Sequence, residues 1–454
     1  MIVLSYLLSA APLLVALMLG LLVPVILIFL HRSFRFGLFV VVLSFMVDTL
    51  TLGSAAINLG VNLFFPDLTF LLLAFSAAVR LFFAKDFPKR NIAWFVFAFF
   101  VLISTAAGLV SFGSSAGVQA RSYFYFVVAG SYAMGFRMSN DQLRSLFNAL
   151  VVCTLLLIGT AFYRWVVYYT PITSLLPQGG TYNIDGPIRV IYSNHALVIA
   201  QVMVAAFFFA VAAGGFVLSQ FLSPLLLGMV IVLQHRSVWL AALVGVLARF
   251  LLGKTKGGST IRQLAFVAAI VGVTAIPLAF NQGLSAVSQQ VGNSAAGALS
   301  GGGTGGERLQ SWGEIIKNWY RAGPRSIVMG QSFGADNTRT VTDNRGESKQ
   351  ISYIAHNLYV QTLFNTGLLG LAAYLITCIH VVLGLYRICR TTRDDVFAEV
   401  LFVLIVMQMT YYIPYGVDYL QALIFGVAIA YVADNRIPSA KELRKKHLLE
   451  GLKS

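Results

Sequence analysis

Charge is what this chain has least of. Only 11% of its 454 residues are charged, against 58% hydrophobic, and the mean hydropathy is +0.80. That balance excludes a water-soluble globule, whose core could not bury so much apolar side chain. Cysteine is also scarce. Cys153, Cys378 and Cys389 lie in or beside apolar runs with no paired or metal-ligand spacing, so they carry no sign of a disulfide framework. His-Glu-x-x-His and Asp-x-Asp motifs are missing, and no repeat of solenoid or propeller period runs through the chain. The apolar runs do not alternate with polar residues, so they read as helices rather than barrel strands.

What is present is a series of apolar stretches, each long enough for a hydrocarbon layer of about 30 Å. Spans are predicted at 11–30, 36–52, 67–84, 91–111, 122–136, 143–163, 192–216, 219–234, 237–252, 262–280, 357–386, 396–413 and 416–434. The fold class is an all-α polytopic membrane protein with 12 or 13 transmembrane helices. Residues 1–280 form a helical bundle, 281–355 one long polar segment, 356–434 the last spans and 435–454 a basic tail. The first run lacks a basic leader and a small-residue cleavage site, and is expected to remain as a span.

Of the 32 Lys and Arg residues, 21 fall in alternate loops and the tail, which places those cytoplasmic. Arg121, Arg164, Arg189, Arg236 and the bases of 281–355 fall on the other side, the exterior or periplasm. Thirteen spans put the N-terminus outside; twelve put both ends inside. The net charge of +15 is concentrated in cytoplasmic loops and in KELRKKH, which suits orientation and anionic lipid better than nucleic acid.

The exterior segment, with five acids and seven bases, breaks the apolar pattern. Within it SWGEIIKNWYRAG sets Trp312, Ile316 and Trp319 on one helical face and Glu314, Lys317 and Arg321 on another, an amphipathic helix suited to the bundle or its interface. GALSGGGTGGE before it lacks the Gly-Lys-Ser/Thr ending and the preceding strand of a phosphate loop, and reads as a linker.

On the same side His356 precedes an apolar run. Asn357, Gln361 and Asn365 recur at helical spacing behind it, a stripe that faces protein or water, or joins helices. Arg189, Arg236 and Arg308 share that side. Arg121 and Arg164 read as membrane-edge anchors, and His31 and His447 as ordinary polar residues.

The stretches GPIRVIYSNHALVIAQ, LQHRSVWLAALVG, GGERLQSWGEIIKNW and AHNLYVQTLFNTGLLGLAAY resemble the bacterial O-antigen ligase and O-antigen polymerase superfamily, from about Arg189 to Tyr374. The resemblance implies a periplasmic glycosyltransferase that takes a glycan from an undecaprenyl diphosphate carrier in the inner membrane. It carries His356 over as catalytic residue, and Arg189, Arg236, Arg308 and Asn357 as binding residues for the diphosphate or substrate. The residue chemistry fits. Arginine forks suit bidentate phosphate binding where no metal ligands exist, and a largely neutral imidazole can take the acceptor's proton. No exterior nucleophile argues for a covalent intermediate, so inversion without a metal or cofactor is expected. The mildly cationic segment favours a polymerase over a ligase that would meet a phosphorylated lipid core. A secondary transporter is the competing class, with Asp48, Glu399 and Asp418 as its intramembrane polar residues.

Overall fold

The computed structural model describes residues 22–51, 56–58, 62–83, 91–177, 190–213, 216–252, 304–342, 347–392 and 395–435. In chain order the elements are α1 (Leu22–Arg32), α2 (Phe34–Thr51), β1 (Ala56–Asn58), β2 (Asn62–Phe64), α3 (Phe65–Phe83), α4 (Ile92–Phe112), α5 (Ser114–Met134) and α6 (Asn140–Tyr169). There follow α7 (Ser193–Ala213), α8 (Phe216–Val232), α9 (Arg236–Leu251), α10 (Thr304–Arg321), α11 (Pro324–Met329), β3 (Arg339–Thr342), β4 (Ser348–Ile351), α12 (Leu358–Thr391), α13 (Val396–Tyr411) and α14 (Tyr419–Asp434). The chain is an all-α polytopic membrane protein; among the described residues five helices are long and apolar enough to cross a membrane by length and composition. The span predicted at 262–280, most of that at 11–30, residues 297–303 of the predicted linker and the tail from 436 lie outside the described residues; the rest of that linker, Thr304 to Glu307, is helical instead and forms the first turn of α10.

The bundle is built around α14, in which every residue from Tyr419 to Val432 is buried, as expected of a helix that is apolar all round. Small residues let it approach α5: a Cβ on Gly426 would lie 2.2 Å from the Gly130 carbonyl oxygen. Gln201 on α7 and Gln421 on α14 pair their amides reciprocally at 2.7 Å inside the bundle. At the basic-loop end, Arg249 pairs with Glu399 at 2.8 Å and the Met138 amide donates to Asp434 at 2.8 Å.

Two predicted anchors are corrected at the other end. Arg121 pairs with Asp67 at 3.2 Å and donates to the Asn62 carbonyl, and Arg164 donates to the Thr49 and Val190 carbonyls. Both tie helices to loops rather than snorkelling to lipid. The prediction also started α5 at 122, because Gln119 and Arg121 hide its first two turns from a hydropathy reading; Gln119 instead accepts from the Gly334 amide at 2.9 Å.

The span predicted at 357–386 is not one continuous helix. Gly367 has φ 68 and ψ −169, and the chain resumes helical geometry beyond it. Residues 328–331 dock into this break: the Gln331 amide donates to the Phe364 carbonyl at 2.7 Å, and Ser104 Oγ donates to the Asn365 carbonyl at 2.7 Å. Carbonyls that lose their helical partners are thereby satisfied. Gly330 and Gly367 allow the contact, since a Cβ on Gly367 would sit 2.3 Å from the Val328 oxygen. Gly367→Ala combines that clash with a left-handed backbone and should cost on the order of 1–3 kcal/mol. Thermal unfolding of the solubilised protein checks this: a lowered midpoint is expected, whereas Gly159→Ala, with nothing within 4 Å of the added carbon, should not lower it. An unchanged Gly367→Ala midpoint would contradict the docked break.

Candidate active site at the start of α12

The first turn of α12 is fixed from three directions. Asn357 Oδ1 accepts from the Val360 amide at 3.0 Å as the N-cap, Gln361 Oε1 accepts from the Ala355 amide at 2.7 Å, and the Leu358 amide donates to the Tyr412 and Tyr415 carbonyls. His356 stands between these fixed points with no hydrogen bond of its own among the described residues. It is exposed, and its ring lies 5.3 Å from that of Tyr353. Although its side chain reaches solvent, desolvation by the protein packed around it, together with the charges of Arg308 and Arg339, holds its pKa below the ordinary 6.5.

Helix α10 supplies one side of the site. Its inward stripe runs through Arg308, Ser311, Ile315 and Trp319, with Trp312 half-buried beside them; Ile315 is 1% exposed and Ile316 40%. The predicted face had Ile316 in that role. Both isoleucines are spaced for a helical stripe with Trp312 and Trp319, and the hydrogen bond from Arg339 to Ser311 settles which turns inward. Ile315 and Trp319 join Ala335, Ala355 and Phe364 in a small second core, so this helix lies on the start of α12.

Arg308 donates to the Pro414 carbonyl at 3.5 Å, and its guanidinium lies over the Tyr415 ring at 5.3 Å. Tyr415 gathers the other elements. Burial alone would raise its phenol pKa, but the Ser193 hydroxyl at the start of α7, the charge of Arg308 and the Ser237 hydroxyl at the start of α9 outweigh it and hold the value below normal. Arg236 is the first residue of α9, one position before Ser237, behind the N-cap His235, whose Nε2 lies 3.1 Å from the Ile191 carbonyl. The structure thus gathers His356, Arg308 and the Arg236 end of α9 around one loop, residues 412–418. Arg189 lies outside the described residues.

Residues 221–375 match the family model described as O-antigen ligase. The match supports the O-antigen ligase and polymerase superfamily that the sequence motifs resemble. It takes in Arg236, Arg308 and His356, and leaves Arg189 and Tyr415 outside. No curated protein matches the chain. The sequence reading missed Arg339, within the matched residues, and Tyr415 beyond them. Arg339 gave no motif signal, and Tyr415 stood in a gap of a few residues between two predicted spans.

Asn357 was expected to bind substrate, yet it is 5% exposed and its side-chain oxygen is committed to the cap. Asn357→Ala should therefore lower stability by about 1 kcal/mol, whereas Asn357→Asp preserves the cap and stays near wild type. Paired thermal unfolding and activity measurements check this; lost activity at unchanged stability in Asn357→Ala would make Asn357 a ligand instead.

Proposed function

We propose that the protein moves a glycan from undecaprenyl diphosphate to an acceptor hydroxyl at the periplasmic face of the inner membrane. The observation that carries this reading is the placement of His356: an imidazole without a hydrogen-bond partner among the described residues, held on a rigid turn and flanked by fixed cations. The O-antigen ligase match over the same residues supports a glycosyltransferase-type enzyme.

In the proposed reaction His356 takes the acceptor hydroxyl's proton as its oxygen attacks the anomeric carbon. The new carbon–oxygen bond forms while the bond to the diphosphate oxygen breaks, and undecaprenyl diphosphate leaves with the electron pair. Arg308 and Arg236 stabilise the charge developing on that leaving oxygen, and Arg189 is the further binding residue that the motif reading supplies. Direct displacement inverts the anomeric centre. Two of the three intramembrane acids on which a transporter reading would draw are engaged within the bundle: Glu399 is paired with Arg249, and Asp418 caps α14 through the Gln421 amide while accepting from Asn194.

The weak cationic balance of the 281–355 segment favours polymerisation, in which the acceptor is another glycan. Ligation to a lipid core is the second reading, and the description of the matched family favours it. Surface-glycan chain lengths in a deletion strain separate the two: single anchored repeats mark a polymerase, and long unattached chains a ligase.

His356→Ala should leave the protein folded, because the side chain is exposed, and reduce transfer roughly 10²- to 10⁴-fold. Because desolvation by the surrounding protein, and then the nearby arginines, disfavour the imidazolium, the wild-type rate should hold as pH falls to about 6.5 and decline only below it, where His356 gains a proton. Rates from purified protein across pH check both. Wild-type transfer by His356→Ala at matched protein levels would remove its role as base.

A further inference from the structure

We propose that Arg339, which no motif singles out, is a positioning residue for His356, acting through Tyr353 as a fixed positive charge one ring away. The inference rests on the transfer reading only for its catalytic consequence; the geometry stands without it.

Arg339 is 4% exposed, and its place on β3 opposite Ile351 of β4 turns it inward. Its Nε donates to Ser311 Oγ at 2.6 Å, and its Nη1 donates to the Asn337 and Tyr353 carbonyls, each at 2.8 Å. The guanidinium also lies over the Tyr353 ring at 5.3 Å, and the other neighbour of that ring is His356, again at 5.3 Å. One arginine therefore holds both the backbone and the ring of the residue against which His356 rests.

Stability alone is a poor reason for this arrangement. Nη2 of Arg339 is buried with no partner among the described residues, so the protein bears the desolvation of a cation that it does not fully bond. An apolar residue or a glutamine could fill a hairpin position without that cost. What the guanidinium adds is a charge that cannot titrate away, fixed in direction by three hydrogen bonds. Its effect on His356 is to disfavour the imidazolium, in the same sense as Arg308. The groups that act on His356 are thus Arg308 from α10, Arg339 from β3 and the Tyr353 ring from the turn after β4, while Arg308 itself lies over the Tyr415 ring of the 412–418 loop. A base kept unprotonated by its surroundings remains competent at pH values where a free imidazole is partly lost.

The test reads His356 directly. Full-length purified protein is labelled with diethyl pyrocarbonate across pH, and modification of the His356 peptide is followed by mass spectrometry. The midpoint should move up in Arg339→Gln and stay at the wild-type value in Arg339→Lys, which keeps the charge. In transfer assays the acid limb of Arg339→Gln should move by the same amount. Because Arg339→Gln also removes buried hydrogen bonds, Tyr353→Leu gives an independent arm: Tyr353 is 52% exposed, so folding is spared, and kcat should fall with KM unchanged. A wild-type midpoint in folded Arg339→Gln, or wild-type kcat in Tyr353→Leu, would overturn the proposal. A shifted midpoint with a pH-independent transfer rate would uphold the positioning of His356 and overturn its role as base.

Discussion

The structure around His356 depends on one contact, the docking of residues 328–331 into the break of α12. A transmembrane helix that unwinds exposes carbonyls that lipid cannot satisfy, so a break survives only where protein supplies donors. Here the Gln331 amide and Ser104 Oγ supply them, from the polar segment and from α4. The same contact determines where the rest of that segment goes. Phe333 is fully buried against Tyr123, and a Cβ on Gly108 would strike its carbonyl oxygen at 2.1 Å, so the chain leaves the break pressed into the α4–α5 hairpin. Beside it α10 packs on the start of α12 and is joined to the β3–β4 hairpin through Ser311 and Arg339, which brings Arg308 and Arg339 beside His356.

Arginine is the cation suited to this position. Each guanidinium keeps its charge when buried and spends some of its donors on protein carbonyls and hydroxyls, which fixes its direction before any ligand arrives. Arg308 points across Tyr415 and Arg339 across Tyr353, so each charge is presented on an aromatic face. His356, without such bonds, is the group free to exchange a proton. That division between fixed charges and one free base is the physical content of the proposed chemistry, and it is why the first turn of α12 has to be rigid.

Much of this was legible in the sequence, for physical reasons. Helices α2, α3, α4, α6 and α12 were visible because a bilayer demands long apolar runs, and His356 because a histidine next to such a run stands out. Arg236 and Arg308 were found through short motifs in which neighbouring residues do fixed jobs, such as the N-cap His235. What the sequence concealed is what tertiary contact decides. Ile315 and Ile316 are equivalent by helical spacing, and only the bond between Ser311 and Arg339 distinguishes them. Arg339 meets partners on both sides of it in the chain, Ser311 and Tyr353, and neither pairing has a local pattern. The break at Gly367 was hidden because the run stays apolar through it. Arg121 and Arg164 looked like lipid anchors because the carboxylate and carbonyls that take them lie on other helices and loops.

The central claim is that fixed arginines and one neutral histidine suffice to move a glycan off a lipid diphosphate. The most direct measurement uses the purified full-length protein in lipid vesicles without an ion gradient, given a lipid-diphosphate-linked glycan, an acceptor and EDTA. The account predicts release of undecaprenyl diphosphate in step with a new glycosidic bond of inverted configuration. Movement of the intact glycan lipid across the bilayer without bond formation, or transfer that stops in EDTA and returns with magnesium, would contradict it.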